Sequence, residues 1–288
     1  MSDLIWKTEH LIPYLEKTID TDRIYIHQCL MSTNDTAKVM AKEGCVHGTV
    51  VLSDKQTAGR GRFNRSFYSP EGTGLYMSIV LDADKLCLDE YTLLTPLVAV
   101  ITSKVIDSVA GKKCGIKWVN DLYLEEKKVC GILTEGVMNG NDLSKFVVGI
   151  GINIGTSEFP EEIENIAGAL INQKDIDDMA AGFLYKELEE GISMEAFFDY
   201  LRNRIAAGLI NELLSEEIFK EATKLMEEYR ANQILNGKVV IVLDAKESYE
   251  AKVLDVDEKG RLMVERVAGE FVGRVELLNS GEVSIKRR

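Results

Sequence analysis

The dipeptide Asn139-Gly140 constrains the fold of this chain more than any other feature of the sequence. It separates two runs rich in β-branched and apolar residues, 129–137 and 146–154. Asn-Gly readily adopts the positive backbone angles of a tight hairpin turn, so the two runs are predicted to be neighbouring antiparallel strands. We therefore expect an antiparallel or mixed sheet with helices on one side.

Apolar periodicity predicts the other elements of this part of the chain. The strand patterns cover 23–28, 49–53, 74–81, 115–118 and 122–124, and the helix patterns cover 4–18, 34–42, 89–109, 177–188, 193–207 and 216–229. The expected fold class is α+β, with helices packed on a mixed or antiparallel sheet.

The pattern of apolar and polar residues changes after Asn236-Gly237. Short alternating strand patterns follow at 238–243, 249–255, 262–266 and 271–275, separated by glycine-containing turns. Several short strands at regular spacing are typical of a small β-barrel. We therefore predict two domains, 1–232 and 233–288, with 1–22 as a short N-terminal extension of the first.

Residues 59–70, Gly-Arg-Gly-Arg-Phe-Asn-Arg-Ser-Phe-Tyr-Ser-Pro, have the composition of an anion-binding loop. Arg60, Arg62 and Arg65 supply fixed sets of donors that match phosphate or carboxylate oxygens. The glycines permit unusual backbone angles and leave N–H groups accessible. The predicted ligand is negatively charged. The alternative is a solvated surface loop whose arginines pair with nearby carboxylates.

The charge of the whole chain sharpens this prediction. There are 34 basic and 47 acidic side chains, which gives a formal net charge of −13. Proteins that hold a nucleic-acid backbone usually carry a basic face. Here Lys55 and the three loop arginines form an isolated basic island, which favours a small anionic ligand. No nucleic-acid partner is expected.

Cysteine and histidine usage indicates the compartment. The five cysteines are an odd number with no Cys-x-x-Cys pair, which is typical of free thiols in the cytoplasm. The three histidines lie far apart, so no metal-ligating residues are predicted. The N-terminus lacks the pattern of a secretory signal. Lys104 and Asp107 interrupt the most apolar helix pattern, so a buried core helix is expected rather than a membrane span.

Four short segments place polar groups at predicted strand or helix ends. They are Ser32-Thr33-Asn34, Lys117-Trp118-Val119-Asn120-Asp121, the Lys-x-x-Gly-Ile-Leu run at 128–133, and the Gly-x-Gly-Ile-Asn run at 149–153. The first either caps a helix or contacts a ligand, since its oxygens suit both roles. The last is not a dinucleotide-binding loop, because Gly155 comes one position too late for Gly-x-Gly-x-x-Gly.

Taken in this order, these segments and the arginine loop resemble the biotin protein ligase family. The loop of that family reads Gly-Arg-Gly-Arg-x-x-Arg-x-Trp-x-Ser-Pro, and this chain matches every fixed position except one, where Phe67 replaces tryptophan. Val119 replaces the proline of the family's Lys-Trp-Pro-Asn-Asp motif. Both changes keep an apolar residue, although Phe67 lacks the indole N–H donor. The resemblance covers roughly residues 25–280 and implies a class II synthetase-like catalytic domain with an SH3-like C-terminal barrel.

The resemblance also implies an activity. In the family, the biotin carboxylate attacks the α-phosphate of ATP, and a lysine of an acceptor protein then attacks the biotinyl-adenylate. The substrates and cofactors implied are biotin, ATP and Mg²⁺. The implied binding residues are Ser32, Thr33, Asn34, Gln56, Gly59, Arg60, Gly61, Arg62, Trp118, Asn120, Lys128, Gly131, Gly151 and Asn153. The implied catalytic residues are Arg62, Arg65, Lys117 and Asp121.

Two of these assignments leave alternatives open. Asn153 either holds ATP or metal, or has a structural role in a turn. Asp121 is either the general base for the attacking lysine or a group that only orients it.

Some family members carry a DNA-binding domain before the catalytic part and act as repressors. Only 31 residues precede Ser32, so we expect a monofunctional ligase without repressor activity. The expected partner is the biotin carboxyl carrier protein or domain of a biotin-dependent carboxylase. A homodimer is possible in the family, and no membrane partner is expected.

Two other functions compete with this one. A lipoate or octanoate ligase would share the catalytic architecture, but the arginine loop argues against it. A biotin-binding regulatory module without turnover would not require Lys117 and all three loop arginines. The C-terminal domain is either a stabilising appendage or a part that helps to bind ATP or the acceptor.

Overall fold

The computed structural model describes residues 6–180, 193–243, 248–279 and 282–285. Its main sheet has seven strands, in the order β1-β2-β3-β7-β6-β5-β4. These are β1 Ile24–Leu30, β2 Thr49–Gln56, β3 Gly74–Asp82, β4 Gly115–Lys117, β5 Asp121–Leu124, β6 Lys127–Asn139 and β7 Asp142–Asn153. Strands β1 and β2 run parallel, and the other neighbours are antiparallel.

The predicted hairpin is confirmed. Asn139 pairs with Asp142 across the turn, and Gly140 has a φ of 62°. The register then continues along β6 and β7 as far as the pair Cys130 and Ile152. The expected mixed sheet is therefore what the chain forms, but the prediction that helices lie on one side of it is wrong, because helices pack on both of its faces.

Helices cover both faces of this sheet. They are α1 Thr33–Lys42, α2 Leu94–Ala110, α3 Gln173–Ala180, α4 Met194–Leu213 and α5 Ala222–Ala231. Successive residues of a strand point to opposite faces, so Val51 packs with Ala37 and Ala41 of α1, whereas Leu52 belongs to the larger core that contains α2, α4 and α5. The small residues of α1 let it lie close to the sheet, which brings its N-terminus over the strand ends.

Helix α2 is the apolar helix expected in the core. Together with the 3₁₀ turn before it, Tyr91–Ala110 is long and apolar enough to cross a membrane by composition. However, 61% of its most apolar window is buried inside the protein. Its C-terminus is closed by Gly111, which adopts a left-handed conformation with a φ of 63°.

Three predicted elements differ from the structure. The helix expected at 4–18 is wrong, since Thr8–His10 and Ile12–Tyr14 form separate 3₁₀ turns, and Pro13 lacks the N–H that a longer helix would need. The helix expected at 177–188 is observed as α3, which starts earlier at Gln173; residues 181–188 lie outside the described residues. The start of the helix expected at 216–229 is a 3₁₀ turn, and α5 follows it.

A second, antiparallel sheet follows in the chain. Its strands are β8 Val239–Leu243, β9 Ser248–Val256, β10 Leu262–Arg266, β11 Val275–Leu278 and β12 Glu282–Ile285, in the order β11-β10-β9-β8-β12. The strand predicted at 271–275 is wrong: this segment is a turn that includes Gly273 at a φ of 85°, and β11 begins only at Val275. The division of the chain at 232/233 stays a prediction.

Candidate active site

A cavity of about 1400 Å³ opens on the face of the main sheet that carries α1. Its floor is backbone, because Gly131 of β6 pairs with Gly151 of β7 and Gly149 lies two residues further along β7. A Cβ atom on Gly149 would lie 2.0 Å from the Oδ1 of Asn34, and one on Gly151 would lie 2.6 Å from the ring of Phe67. The glycines are therefore required for side chains above them to reach the sheet.

One end of the cavity is a neutral hydrogen-bond network. Ser32 is the N-cap of α1 and accepts from the N–H of Asp35 at 3.4 Å, so its predicted capping role is observed. The backbone N–H of Thr33 donates to the Oε1 of Gln56 at 2.9 Å, and the Thr33 hydroxyl lies 3.2 Å from the same oxygen. Ser32, Thr33, Asn34 and Gln56 all line the cavity. The helix end thus supplies a cap and polar cavity walls together.

Two further residues fix this network, and sequence reasoning missed both. The hydroxyl of Ser78 is fully buried, 2.6 Å from the Oδ1 of Asn34 and 2.8 Å from the hydroxyl of Thr33. The Nδ2 of Asn34 donates to Glu135 Oε2 at 2.9 Å. A serine within the apolar strand 75–81 was the available signal for Ser78.

Glu135 in turn pairs with Lys38 at 2.8 Å. Burial lowers the pKa of Lys38, but hydrogen bonds to Glu135 and Asp35 outweigh this effect, and the pKa is raised overall. The orientation of Asn34 is therefore set by groups that are themselves held in place.

The arginine loop connects β2 to β3, as predicted. It folds back on itself through hydrogen bonds from Gly61 N–H to Arg65 O at 2.7 Å and from Phe67 N–H to Gly59 O at 2.8 Å. A Cβ on Gly59 would lie 2.5 Å from the carbonyl oxygen of Phe67. Among the predicted binding residues, Gly59 is the one that does not line the cavity, and its position indicates a role in loop packing.

The tip of this loop has an unusual backbone. Phe63 and Asn64 have φ values of 54° and 58°, which are uncommon for residues with a side chain. The ring of Phe67, where the family motif has tryptophan, contacts the floor glycines Gly131 and Gly151. The loop is therefore anchored to the sheet by Phe67, while its tip stands at the cavity.

Cationic groups gather at the other end of the cavity. Arg62, Arg65, Lys117 and Lys128 all line it. The guanidinium of Arg62 donates to Asn120 Oδ1 at 3.2 Å, and the ammonium of Lys117 lies 5.5 Å from the centroid of the Tyr123 ring. This gathering is the arrangement that the composition of the loop predicted for an anionic ligand.

Two carboxylates close to the cavity, Asp35 at the start of α1 and Asp121 in β5, are paired with cations. Arg60 lies 2.7 Å from Asp35, so for this arginine the alternative of pairing with a carboxylate is observed. Asp121 lies 2.7 Å from the ammonium of Lys128. Both the base role and the orienting role of Asp121 stay open, because an ion pair suits either.

Asn153 lines the cavity and is 5% exposed. Its Nδ2 donates to the carbonyl of Gly168 at 2.9 Å, which is the structural role that the sequence left open. Its Oδ1 is buried and has no hydrogen-bond partner among the described residues. A buried acceptor without a partner is costly, so this oxygen suits a donor from a ligand.

The segment after β7 forms another wall that the sequence did not predict. Lys128 N–H donates to Ile166 O at 2.7 Å, and Gly168 N–H donates to Lys128 O at 2.9 Å. Within the same segment, the ring of Phe159 meets that of Tyr68 from the arginine loop, with centroids 6.2 Å apart. The cavity is thus enclosed by two segments that touch each other.

In the part of the chain that the structure describes, no three His, Cys, Asp or Glu side chains are arranged to hold a metal ion. The oxygen donors that line the cavity include the carboxylates of Asp121, Glu125 and Glu126 and the side-chain oxygen of Asn153. Magnesium in nucleotide sites takes one or two protein oxygens and relies on phosphates for the rest. These residues therefore fit an ion that enters with a nucleotide.

Residues 26–153 match the model of the Biotin/lipoate A/B protein ligase family.

Among similar proteins is the bifunctional ligase/repressor BirA of Bacillus subtilis, 39% identical over 158 residues, which cover 54% of this chain and 48% of that protein. The match to BirA of Bacillus spizizenii covers 44% of that protein, so the aligned region spans about half the length of these relatives. A longer match is to the biotin--[acetyl-CoA-carboxylase] ligase of Mycobacterium tuberculosis, 27% identical, covering 88% of this chain and 85% of that protein.

Among solved structures, the biotin protein ligase from Aquifex aeolicus in complex with biotin and ATP is similar over 92% of this chain and 99% of that one. The TM-score is 0.64 and the identity is 26%.

Proposed function

We propose that this protein is an ATP-dependent ligase that activates biotin as biotinyl-5′-AMP and transfers it to a lysine of a biotin carboxyl carrier protein. The observation that carries the proposal is the single cavity with a neutral hydrogen-bonding end and a cationic end. A ureido ring needs both donors and acceptors, whereas a carboxylate beside a triphosphate needs fixed positive charge. The names of the similar proteins support the same activity.

In the first step, a carboxylate oxygen of biotin forms a bond to the α-phosphorus of ATP, and the bond to pyrophosphate breaks. Both reactants are anions, so their approach must be neutralised. One cation about 4 Å from an anionic oxygen contributes about 4 kcal/mol at an effective dielectric constant of about 20. Arg62, Arg65 and Lys117 line the cavity at the appropriate end for this role. Magnesium, when bound with the nucleotide, adds positive charge at the phosphates.

In the second step, the neutral amine of the acceptor lysine attacks the acyl carbon, a C–N bond forms, and AMP leaves with the electrons of the C–O bond. A proton must leave the attacking nitrogen, and Asp121 is a carboxylate that lines the cavity beside Lys128. Its ion pair with Lys128 holds it in place for either proton transfer or orientation. The mixed anhydride is easily hydrolysed, so the contact between Tyr68 and Phe159 is suited to exclude water.

The remaining parts of the proposal concern surroundings and partners. A cytoplasmic location is supported by free cysteines at positions 29, 45, 87, 114 and 130. The absence of repressor activity is supported by the net charge of −13, which disfavours operator binding. A homodimer stays a prediction. A mobility-shift assay with the chain's own promoter region would test the absence of repression, and a shift at submicromolar protein would contradict it.

The experiment that tests the activity is isotopic exchange of pyrophosphate into ATP. Purified protein with Mg²⁺ is given biotin, lipoate or octanoate at equal concentration. Exchange that depends on biotin alone is expected. Exchange with lipoate or octanoate instead would identify a different acid, and tight biotin binding without exchange would identify a binding module. The acceptor need not be known for this measurement.

A further inference from the structure

The segment 117–121 faces the cavity on one side and is held from behind by a distant part of the chain. Trp118 lies between Lys117 and Asn120 and is only 4% exposed. Its backbone N–H donates to Gln233 Oε1 at 2.8 Å, and its indole N–H donates to the carbonyl oxygen of Gly260 at 2.9 Å. Gly260 lies in the turn between β9 and β10 of the second sheet, whereas Gln233 lies between α5 and β8 and forms a bridge with Ile116 of the main sheet.

The turn that supplies the second acceptor is itself fixed. Gly260 lies between β9 and β10 with a φ of 76°. The carboxylate of Asp257 accepts the N–H groups of Lys259 at 3.0 Å and Arg261 at 2.8 Å. The position of a Cβ on Gly260 would be 3.4 Å from Pro96, so the turn packs on the first part of α2. The carbonyl that receives the indole is therefore held between two parts of the protein.

The neighbours of Trp118 belong to the cationic end of the cavity. Lys117 lines the cavity, and Asn120 accepts the hydrogen bond from Arg62. The neutral end, which includes Thr33, Asn34 and Gln56, is built from other elements. A displacement of Trp118 would therefore move Lys117 and Asn120, at the cationic end. It would affect the neutral end less.

We propose that Trp118 is a positioning residue through which the second sheet sets the geometry of the nucleotide end of the cavity. The proposal rests on the proposed function. The hydrogen bond from the indole N–H of Trp118 to the carbonyl of Gly260 fixes the segment 117–121, so that Lys117 and Asn120 are held against the phosphates. The second sheet thereby contributes to nucleotide binding through the placement of Trp118, which also lines the cavity.

The chain offers a matched control, since its other tryptophan makes the same kind of bond. Trp6 is 6% exposed, and its indole N–H donates to Asn203 Oδ1 at 2.7 Å. Neither Trp6 nor Asn203 lines the cavity. Trp118→Phe and Trp6→Phe each remove one buried indole donor, so a loss caused by stability alone would be shared by both.

The test compares wild type, Trp118→Phe, Trp6→Phe and Gly260→Ala in biotin-dependent pyrophosphate exchange and in calorimetric binding of MgATP and of biotin. We expect Trp118→Phe to raise the KM and Kd for ATP by about tenfold and to leave biotin affinity within about twofold. Trp6→Phe should leave both affinities unchanged and lower only the Tm. Gly260→Ala, which strains a positive φ, should act in the same direction as Trp118→Phe.

A double variant separates coupling from two independent losses. If Gly260→Ala acts through the indole bond, its effect in the Trp118→Phe background should be small rather than multiplicative. Equal effects of the two tryptophan variants on ATP, equal losses of ATP and biotin affinity, or fully multiplicative effects in the double variant would each overturn the proposal. A wild-type protein without exchange would overturn the proposed function, while the calorimetric comparison would still decide the role of Trp118.

Discussion

The two ends of the cavity are built in opposite ways. At the neutral end, Asn34 and Ser78 are buried polar side chains whose hydrogen bonds lead to other fixed groups. At the cationic end, Arg62 and Arg65 stand on a loop whose tip includes Phe63 in a left-handed conformation. The first end is preorganised by the sheet and α1, and the second depends on how a loop is placed.

This difference separates recognition from activation. A rigid network of neutral groups discriminates between acids, because a wrong shape leaves buried polar atoms without partners. A loop that carries charge can close when the anionic ligand arrives, which couples binding to chemistry. Substitutions at the two ends should therefore change different kinetic parameters, and the following variants test that expectation.

The largest effect is expected from Arg62→Ala at the cationic end. Loss of one preorganised cation should slow formation of the adenylate by about a hundredfold to a thousandfold and should speed its release. Single-turnover quench measurements with biotin and ATP give both rates. Arg23→Ala, which removes a surface arginine paired with Asp20 at 2.8 Å, is the matched control. Unchanged rates in the Arg62 variant would remove this residue from the chemistry.

At the neutral end, Gly149→Ala should nearly abolish biotin binding. The new Cβ would meet the amide of Asn34, and the loss of about two to three hydrogen bonds corresponds to a weakening of about a hundredfold. Calorimetry with biotin measures this, and the affinity for ATP should change little. Gly136→Ala on the neighbouring strand β6 meets only the tip of Leu143 and serves as control. Equal losses of affinity for biotin and for ATP would show that the two ends of the cavity do not act independently.

A pair of variants examines the point where the two ends meet. Gly151→Ala places a Cβ against the ring of Phe67, so it should displace the loop and raise the KM for ATP by about tenfold. Phe67→Trp restores the residue of the family motif over a floor without side chains, and we expect a change of less than about threefold. Steady-state exchange kinetics compare them. A larger rise in the KM for ATP with Phe67→Trp than with Gly151→Ala would show that the space above the floor glycines does not accept a ring larger than that of phenylalanine.

The smallest effect should come from salt. Raising the ionic strength from about 0.1 M to about 1 M shortens the screening length from about 10 Å to about 3 Å. ATP affinity should then fall by a few fold, because the loop cations are partly exposed to solvent. The affinity for a neutral biotin amide, measured in parallel by calorimetry, should remain constant. A salt-dependent affinity for the amide would mean that charge also acts at the neutral end.

Much of the fold was accessible from local sequence patterns. The hairpin at Asn139-Gly140, the arginine loop between two strands and the start of α1 at Ser32 depend on neighbouring residues, and all three are confirmed. The helix predicted at 4–18 from apolar spacing is wrong because Pro13 interrupts it, and proline cannot continue a helix. The strand predicted at 271–275 is wrong because Gly269 before the segment and Gly273 within it adopt positive φ values in a turn.

The missing parts of the site depend on contacts that no local pattern contains. Ser78 lies 44 residues from Asn34, and Glu135 lies 101 residues from it. Gly260 lies 142 residues from Trp118. Such pairs meet only because β3, β7 and β6 are adjacent in the sheet and because the second sheet packs beside α2. Motifs identified residues that line the cavity, but not the residues that hold them in place.

The backbone floor of the cavity belongs to a hairpin whose strands are consecutive in the chain. Closing a two-residue turn costs much less chain entropy than joining distant segments, so this surface is expected to form early in folding. The polar groups of the neutral end come from α1, β2 and β3, which must first assemble with this hairpin. Ligand binding therefore requires that all of these elements are in place. Added biotin should accordingly raise the folded fraction of destabilised variants by mass action, and a cell could detect unfinished molecules by their failure to retain it.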